Sequence, residues 1–563
     1  MPTVHQREAQ ILTSKSKKER KDMFEFTIPD WIEATNMLDF NSTRAQKIHR
    51  SIFELFIVDL VPFTEVNKPG FLRHHALLAP NFELASDKYY RSLLNPTYER
   101  IKKVIREKIN HDSPPIFALG LDPWSQFHNG YLGVNAHYIN DEWKRIIFCL
   151  SCVPFDERHT AENIYKNLTT VLTEWDMKEK IGLCLRDNAA NMKATFKLPE
   201  STLHDAGCLA HTLQLVIKQD CFGLKTVADL LSKCSKLVTF ANHSTNFYTE
   251  LYEQQRITMG IDNKANLKSL KQDVNTRWNS TYYQLESIYV LQPALVQTLN
   301  TVEGADVEFS KSEWTTMRKV LGILKPFEEA TQWLQCHDAS ISMAIPIVTT
   351  IILSLDEETA DDHGVLTMKR SLKKGMLNRF PTMEDKEHYI VATLLDTKFK
   401  RFFFRDENTF YRAKAILVLK LTHSLRDAIN TQAQNTPAPT TTGRTVLQGV
   451  MSRIISRKQG SAGDQETDSF MRSANKAVDH YLNLPLDPLD IDQKSTSNTT
   501  FKFWKHYSET GDKAEKSLAA LARIYLTPAP TSSDIERLGS EPSVKYRRPF
   551  SFSTIHCGAS SQL

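Results

Sequence analysis

Two aspartates follow short apolar runs in this sequence, an arrangement that can bring carboxylates together at the edge of a sheet. Asp122 comes after IFALGL, and Asp187 comes after IGLCLR, in front of the small and amide residues NAANM. If the two runs form neighbouring strands, the carboxylates meet. Converging carboxylate oxygens are ligands that Mg²⁺ and Mn²⁺ accept, and such ions support phosphodiester cleavage. Alternatively, each aspartate caps the element that follows it, since Asp is favoured at helix N-caps and turns.

The segments around these aspartates predict an α/β fold. Three Ile-, Val- and Phe-rich runs separated by turn residues predict a meander of three strands: PPIFALGLD, GYLGVNAHYIN and EWKRIIFCLSCVPF. A helical pattern follows, and the continuous apolar run IGLCLRD then predicts a strand buried on both faces. Three strands, a helix and a fourth strand predict a mixed sheet with helices packed on it.

The remainder of the chain predicts helices and one linker. Residues 42–110 predict a helical N-terminal module with a possible DNA-binding role, and residues 209–425 carry an almost wholly helical pattern. One apolar face of that region is formed by Trp314, Met317, Leu321 and Leu324. Residues 430–469 are rich in Thr, Gln, Ser and Gly and predict a flexible linker. A helical segment from about 471 to 527 follows.

Composition limits the classes of partner and compartment. The 563 residues include 70 Lys and Arg against 66 Asp and Glu, so any nucleic-acid site must be a local basic patch. One basic cluster, SKSKKERK with Lys17, Lys18 and Arg20, lies in residues 1–41, which predict a flexible tail. It is either a nuclear-import signal or phosphate contact, or simply a solvated tail. The absence of an 18-residue apolar run and of a signal-peptide pattern predicts an intracellular protein without a membrane partner.

Six sequence blocks, in order, resemble the hAT superfamily of DNA transposases, and in particular its domesticated BED-zinc-finger members. The blocks are GLDPWSQFHNGYLGVNAHYI, LRDNAANM, GCLAHTLQLVI, DVNTRWNSTYYQLE, VATLLDTKFK and PAPTSSDIERLGS. The resemblance implies an RNase H-like core that begins at 111–220 and is interrupted by an all-α insertion at 221–429. It also implies that residues 470–540 form a C-terminal dimerisation region that completes the core. DNA, a second copy of the chain and a nuclear location are implied with it.

The same resemblance implies roles for individual residues. Asp122, Asp187 and Glu536 match the family's Asp-Asp-Glu triad, which is catalytic and binds Mg²⁺ or Mn²⁺ in active members. Among the DNA-contact positions it implies, Cys208 and His211 match a Cys-x2-His pair that lies beside the active site, and Arg277 and Trp278 match an Arg-Trp motif.

For these DNA-contact positions, simpler structural roles stay open. Arg277 can pair with a phosphate and Trp278 can stack on an unpaired base, but the tryptophan can equally anchor helix packing. Cys208 and His211 supply only half of the four ligands of a structural zinc site. A packed cysteine and a hydrogen-bonded histidine are the alternative.

No complete zinc site is predicted. Cys149 and Cys152 form a CxxC, but within a strand residues three apart face opposite sides. No cysteine precedes Cys149, so the two-cysteine, two-histidine finger of BED-type members cannot form before it, and we expect DNA binding through phosphates with little sequence preference. Residues 541–563 depart from the family pattern. We therefore expect a transposase-derived nuclear protein that binds DNA, dimerises and no longer transposes; the alternatives are an active metal-dependent transposase and an inactive relic.

Overall fold

The computed structural model describes residues 37–126, 129–155, 157–274, 277–304, 306–356, 364–434, 462–487 and 499–532. Within these ranges the chain divides into two compact units, with the division between Glu107 and Lys108. The predicted tails at 1–41 and 541–563 fall almost wholly outside the described residues, as does Glu536.

The first unit is helical. Its helices are α1 (Thr43–Val58), α2 (Pro69–Leu78), α3 (Asp87–Ser92) and α4 (Leu94–Asp112), the last of which runs across the division between the units. Helix α1 begins at Ser42, whose side chain accepts a hydrogen bond from the backbone N–H of Ala45 at 3.3 Å. Its apolar face is buried through Ile52, Phe53 and Phe56, which form the core of this unit.

The second unit contains a five-stranded mixed sheet. Its strands are β1 (Phe117–Gln126), β2 (Asn129–Ile139), β3 (Arg145–Pro154), β4 (Ile181–Arg186) and β5 (Asp205–Gly207), in the order β3-β2-β1-β4-β5. Strands β1, β2 and β3 pair antiparallel, whereas β4 pairs parallel with both β1 and β5. The predicted meander and the mixed sheet are confirmed, and β5 is a strand that the sequence pattern did not predict.

Helices surround and follow this sheet. Helix α5 (Ala161–Glu174) connects β3 to β4, α6 (Ala190–Thr195) follows β4, and α7 (Leu209–Asp220) follows β5. Further along the chain lie α8 (Lys225–His243), α9 (Thr245–Met259), α10 (Trp278–Val290), α11 (Gln292–Thr301), α12 (Lys311–Leu334), α13 (Ala344–Asp356), α14 (Leu366–Arg379), α15 (Glu387–Leu395), α16 (Glu407–Gln434), α17 (Ala462–Asn483), α18 (Thr499–Thr510) and α19 (Lys513–Tyr525).

One hydrophobic core joins the sheet to these helices. Leu183 of β4 and Ala206 of β5 belong to the same buried cluster as side chains of α7 to α19. The apolar face predicted for α12 is also buried there, with Trp314 and Leu324 respectively 8% and 0% exposed. Continuous burial of this kind fixes the helices relative to the carboxyl ends of β4 and β5.

The linker was predicted at residues 430–469, but the structure places residues at both ends of this range in helices. Helix α16 continues to Gln434, and helix α17 begins at Ala462. Composition alone misplaced these boundaries because polar residues such as those in NTQAQ can extend an amphipathic helix that is already packed along its apolar face. Residues 435–461 lie outside the described part of the chain.

Candidate functional site

The two aspartates lie just beyond the paired part of two neighbouring parallel strands. The last pair of the β1–β4 ladder joins Gly120 to Leu185, and Asp122 and Asp187 are each two residues further on. Neighbouring strands are about 4.8 Å apart, and side chains at matching positions of parallel strands point to the same face. The separation of the two carboxylates stays a prediction, but the strands that carry them are neighbours.

Asp122 does not follow β1, as the sequence pattern predicted; it lies within the strand. Strand β1 continues to Gln126 because it pairs along that stretch with β2, and Asp122 faces Gly133 in this antiparallel ladder. It is nevertheless beyond the last residue of β1 that pairs with β4. Asp122 therefore lies at the carboxyl end of the parallel part of the sheet, and its side chain is half-buried.

Asp187 is the first residue after β4 and is also half-buried. One carboxylate oxygen accepts a hydrogen bond from the backbone N–H of Ala189 at 3.1 Å, which fixes the turn into α6. This is the turn role considered as the alternative for Asp187, and it uses one oxygen only; the N-cap of α6 is Ala189, which has no side-chain cap. Within the described residues, the Asp187 carboxylate takes part in no ion pair.

The arginine next to Asp187 in sequence is directed elsewhere. Arg186 forms an ion pair with Asp205 on β5, and its guanidinium also donates to the backbone carbonyl of Asp187 at 2.9 Å. The Arg186 guanidinium is thus paired with β5 while it also donates to the main chain of Asp187. Among the described side chains, Asp187 therefore has no neutralising base beside it, because the neighbouring Arg186 is already paired with Asp205.

A close approach of the turn after β4 to β5 and α7 supports the same strand end. Asn188 donates to the hydroxyl of Thr212 on α7 at 2.7 Å, and a Cβ atom at Gly207 would lie 2.8 Å from the Asn188 amide oxygen. A residue with a side chain at position 207 would therefore displace the asparagine. Sequence reasoning missed Arg186, Asp205 and Asn188, although two of them flank Asp187 within LRDNAANM.

Cys208 and His211 lie at the start of α7, directly after β5. Cys208 is buried, its N–H donates to the carbonyl of Arg186 at 2.7 Å, and its thiol accepts from the N–H of Ser532 at 3.5 Å. This is the packing role left open for the cysteine. His211 is half-buried in the first turn of the helix. A DNA contact through Cys208 would require it to leave this buried position.

The end of the described chain returns to this place. Residues 526–532 are all buried, although they follow α19 and form no helix or strand. The carbonyls of this segment accept from three parts of the core: Leu526 from Arg145 at 2.9 Å, Pro528 from Ile341 at 2.9 Å and Pro530 from Leu209 at 3.0 Å. The described chain therefore reaches Ser532 beside Cys208, four residues before Glu536.

Arg277 and Trp278 differ in exposure. Arg277 is exposed at the start of α10, but Trp278 is 1% exposed and packs edge-to-face with Tyr282 at a centroid distance of 6.1 Å. Packing is the alternative that the sequence left open for the tryptophan. A base could stack on Trp278 only after it left the helical core. Lys17, Lys18 and Arg20 lie outside the described residues.

Buried groups from the helical region also approach β5. The pKa of His388, at the start of α15, is lowered to about 4, first by burial and then by the charge of Lys386, against the opposing effect of Asp205. Its Nε2 atom is buried without a hydrogen-bond partner in the described chain. Burial likewise raises the pKa of the neighbouring Tyr389, close to Arg186 and Asp205. The charge of Asp205 thus acts on both His388 and Tyr389 of α15.

The donor set present here fits a divalent cation only in part. Two half-buried carboxylates at adjacent strand ends are suitable hard oxygen ligands for Mg²⁺ or Mn²⁺. Within the residues that the structure describes, no three Asp, Glu, His or Cys side chains are grouped as a metal site. A complete site would therefore need a ligand from outside those residues, and Glu536 is the candidate from the sequence.

Two family models of known proteins match parts of this chain. Residues 120–215 match the family model described as the ZBED1 RNase-like domain, and residues 206–323 match the ZBED1 RNase-like helical domain. The first match contains both aspartates. These matches, with relatives named zinc finger BED domain-containing proteins and AC transposases, support a hAT-like, transposase-derived family for this chain.

Individual relatives agree with this assignment. Human zinc finger BED domain-containing protein 4 is 24% identical over 74% of this chain and 37% of its own length. Mouse zinc finger BED domain-containing protein 6 is 25% identical over 78% of this chain and 47% of its own length. The Zea mays protein named "Putative AC transposase" is 27% identical over 51% of this hAT-like chain and 36% of its own length. The chain thus spans less than half the length of these relatives.

Among the described residues, no helix combines the length and the apolar character that a bilayer span requires.

Proposed function

We propose that this chain is a DNA-binding protein of transposase descent that works in the nucleus and contacts DNA mainly through phosphates. The observation that carries the proposal is the match of residues 120–323 to an RNase-like core and its helical domain, shared with BED-finger proteins and an AC transposase. Self-association through residues 470–540 belongs to the same proposal, and light scattering of the purified chain would test it.

The first test measures DNA binding as a function of salt. Fluorescence anisotropy with two unrelated 20-bp duplexes should give similar affinities that fall steeply between 50 and 200 mM salt, because released counterions dominate phosphate binding. A protein with 6–10 phosphate contacts loses about 10³–10⁵ in affinity over this range. Binding that is insensitive to salt and selective for one duplex would contradict the proposal.

A second candidate function, metal-dependent DNA cleavage, is favoured by one specific arrangement. Asp122 and Asp187 lie at matching positions of adjacent parallel strands, and the chain returns to Ser532 beside Cys208. Four further residues span about 6 Å as a helix and about 14 Å when extended. Glu536 is therefore within reach of the two aspartates. A bound Mg²⁺ or Mn²⁺ would activate water and stabilise the leaving oxygen there.

Plasmid nicking in Mn²⁺ tests this candidate. We expect Asp187→Asn and Glu536→Gln to abolish nicking, while the control Asp176→Asn, an exposed position before β4, retains it. Mn²⁺ binding measured by electron paramagnetic resonance gives a readout that does not depend on activity. Equal nicking and equal Mn²⁺ binding by wild type and Asp187→Asn would refute the role of the aspartate pair. A wild-type chain that binds DNA without nicking it would leave DNA binding as its function.

A further inference from the structure

The connection between α9 and α10 contains an unusual number of exposed cations. Residues 261–274, here called the lysine loop, follow Gly260 at the end of α9 and contain only one short 3₁₀ turn. Lys264, Lys268 and Lys271 are all exposed in this loop. Long connections without helix or strand are uncommon in compact domains and often carry function.

None of these lysines has an acidic partner in the part of the chain that the structure describes. Elsewhere, Lys144 pairs with Glu142 at 2.8 Å and Lys166 pairs with Glu157 at 3.3 Å. In the lysine loop the only cation contact is that of Lys271, whose ammonium lies 4.7 Å from the centre of the Tyr283 ring. The positive charges of the loop are therefore available to an external anion.

The two acidic residues of the loop do little to neutralise the positive charge of its three lysines. Asp273 points its carboxylate at the start of α10, where Oδ1 accepts from Ser280 at 2.6 Å and from Thr281 at 2.9 Å. Asp262 is exposed at the opposite end of the loop, next to α9. The stretch between these two aspartates, which carries the three lysines, contains no other acid.

The loop is held in one conformation by its backbone. The buried side chain of Gln255 accepts from the N–H of Lys268 and donates to its carbonyl, both at 2.9 Å. The N–H of Lys271 donates to Ser287 at 3.0 Å, and Ser269 bonds to Tyr252 at 2.8 Å. A fixed backbone lowers the entropy cost of ordering the loop when it binds.

We propose that the lysine loop is a phosphate-binding surface for duplex DNA. Lys264 and Lys271 are seven residues apart, at most about 25 Å, and a duplex presents one charge per about 1.7 Å of its axis. Each lysine can thus contact a separate phosphate. The exposed Arg277 lies at the start of α10, the end of that helix to which the lysine loop leads. The inference rests on the proposed DNA binding and assigns part of it to a defined surface.

The test compares salt dependence in three variants of the full chain, each binding a random-sequence 20-bp duplex. The triple change Lys264→Gln, Lys268→Gln and Lys271→Gln should lower the slope of log affinity against log salt by about 2.7, at about 0.9 per phosphate. A fourfold rise in salt would then weaken wild type about 40-fold more than the variant. The triple Lys→Arg variant at the same positions should keep the wild-type slope.

A charge-matched control separates local contact from net charge. Lys144→Gln, Lys166→Gln and Lys325→Gln remove three lysines that are exposed and ion-paired. This control should retain the wild-type slope. An unchanged slope in the loop variant, or an equal loss in the control, would overturn the lysine-loop proposal while DNA binding itself stands. Absence of DNA binding by wild type would overturn both.

Discussion

The protonation of His388 tests whether the fold encloses this histidine at the start of α15. Its pKa is lowered from 6.5 to about 4, and burial is the main cause. Protonation would place a second N–H at the buried Nε2 atom, which has no acceptor among the described residues. The folded chain therefore resists protonation of His388, whereas the unfolded chain accepts a proton near pH 6.5.

The size and sign of the effect on stability follow from linkage. Between pH 6.5 and 4 the unfolded state binds more protons at this residue than the folded state, so stability falls as the pH drops. A pKa that falls from 6.5 to about 4 corresponds to at most about 3 kcal/mol, at 1.36 kcal/mol per pKa unit. This stability is fully present above pH 6.5 and is lost as the pH falls to 4.

Two measurements check this reasoning. In protein labelled with ¹³C-histidine, the His388 resonance is assigned by its loss in His388→Gln, and at pH 5 it should still report a neutral ring. In urea unfolding, His388→Gln should lose less stability between pH 7 and 4.5 than wild type does, while the exposed-site control His423→Gln should behave like wild type. A charged His388 ring at pH 5.5 would refute the enclosed environment described for α15.

Two further predictions concern buried side chains. Lys400 is 2% exposed and donates to three backbone carbonyls, one in the last turn of α17 and two just after it, so Lys400→Met should destabilise the chain by about 2–5 kcal/mol in urea unfolding, and Lys398→Met by much less. An equal effect of both changes would contradict this role. Trp278→Ala should cost about 3–5 kcal/mol because it empties a core position, while Arg277→Ala should cost under about 0.5 kcal/mol. A neutral Trp278→Ala variant with weaker DNA binding would instead support base stacking.

The strands that carry the site were predictable because their patterns are strong. The continuous apolar run before Asp187 predicts a buried strand, and four of the six residues of β4 are buried. The three-residue strand β5 has no such pattern, since Asp205, Ala206 and Gly207 carry one apolar side chain between them. A strand this short is defined only by its pairing with β4, which no local sequence signal encodes.

The contacts of individual residues were less accessible to sequence reasoning. Trp278 suits a buried core and an exposed stacking site equally well, and only its surroundings separate these roles. The ion pair between Arg186 and Asp205 and the unpaired lysines of the lysine loop depend on which acids the fold brings near. The end of α19 at Tyr525 was predictable from Pro528 and Pro530, which cannot continue a helix.

Buried polar contacts in the helical region help to position the segment that ends at Ser532, which is distant in sequence, beside the sheet. Asp396, after α15, accepts from Ser342 at 2.7 Å and from Thr500 at the start of α18 at 2.8 Å. Lys400 caps the end of α17, and the indole of Trp504 in α18 donates to the carbonyl of Leu395 at 2.9 Å. These bonds attach the last helices to α15.

Helix α15 also shares one hydrophobic core with β4, β5 and the last helices, through Ile390 and Leu394. The helices that precede Ser532 and the strand that precedes Asp187 therefore pack into the core that contains α15. Since buried polar networks are costly to break in part, this attachment resists independent movement of the two segments. Asp187 and Ser532 are far apart in sequence, but the core that contains α15 thus connects the segments that carry them. For this reason the long separation of Glu536 from the aspartates is compatible with a single acidic site.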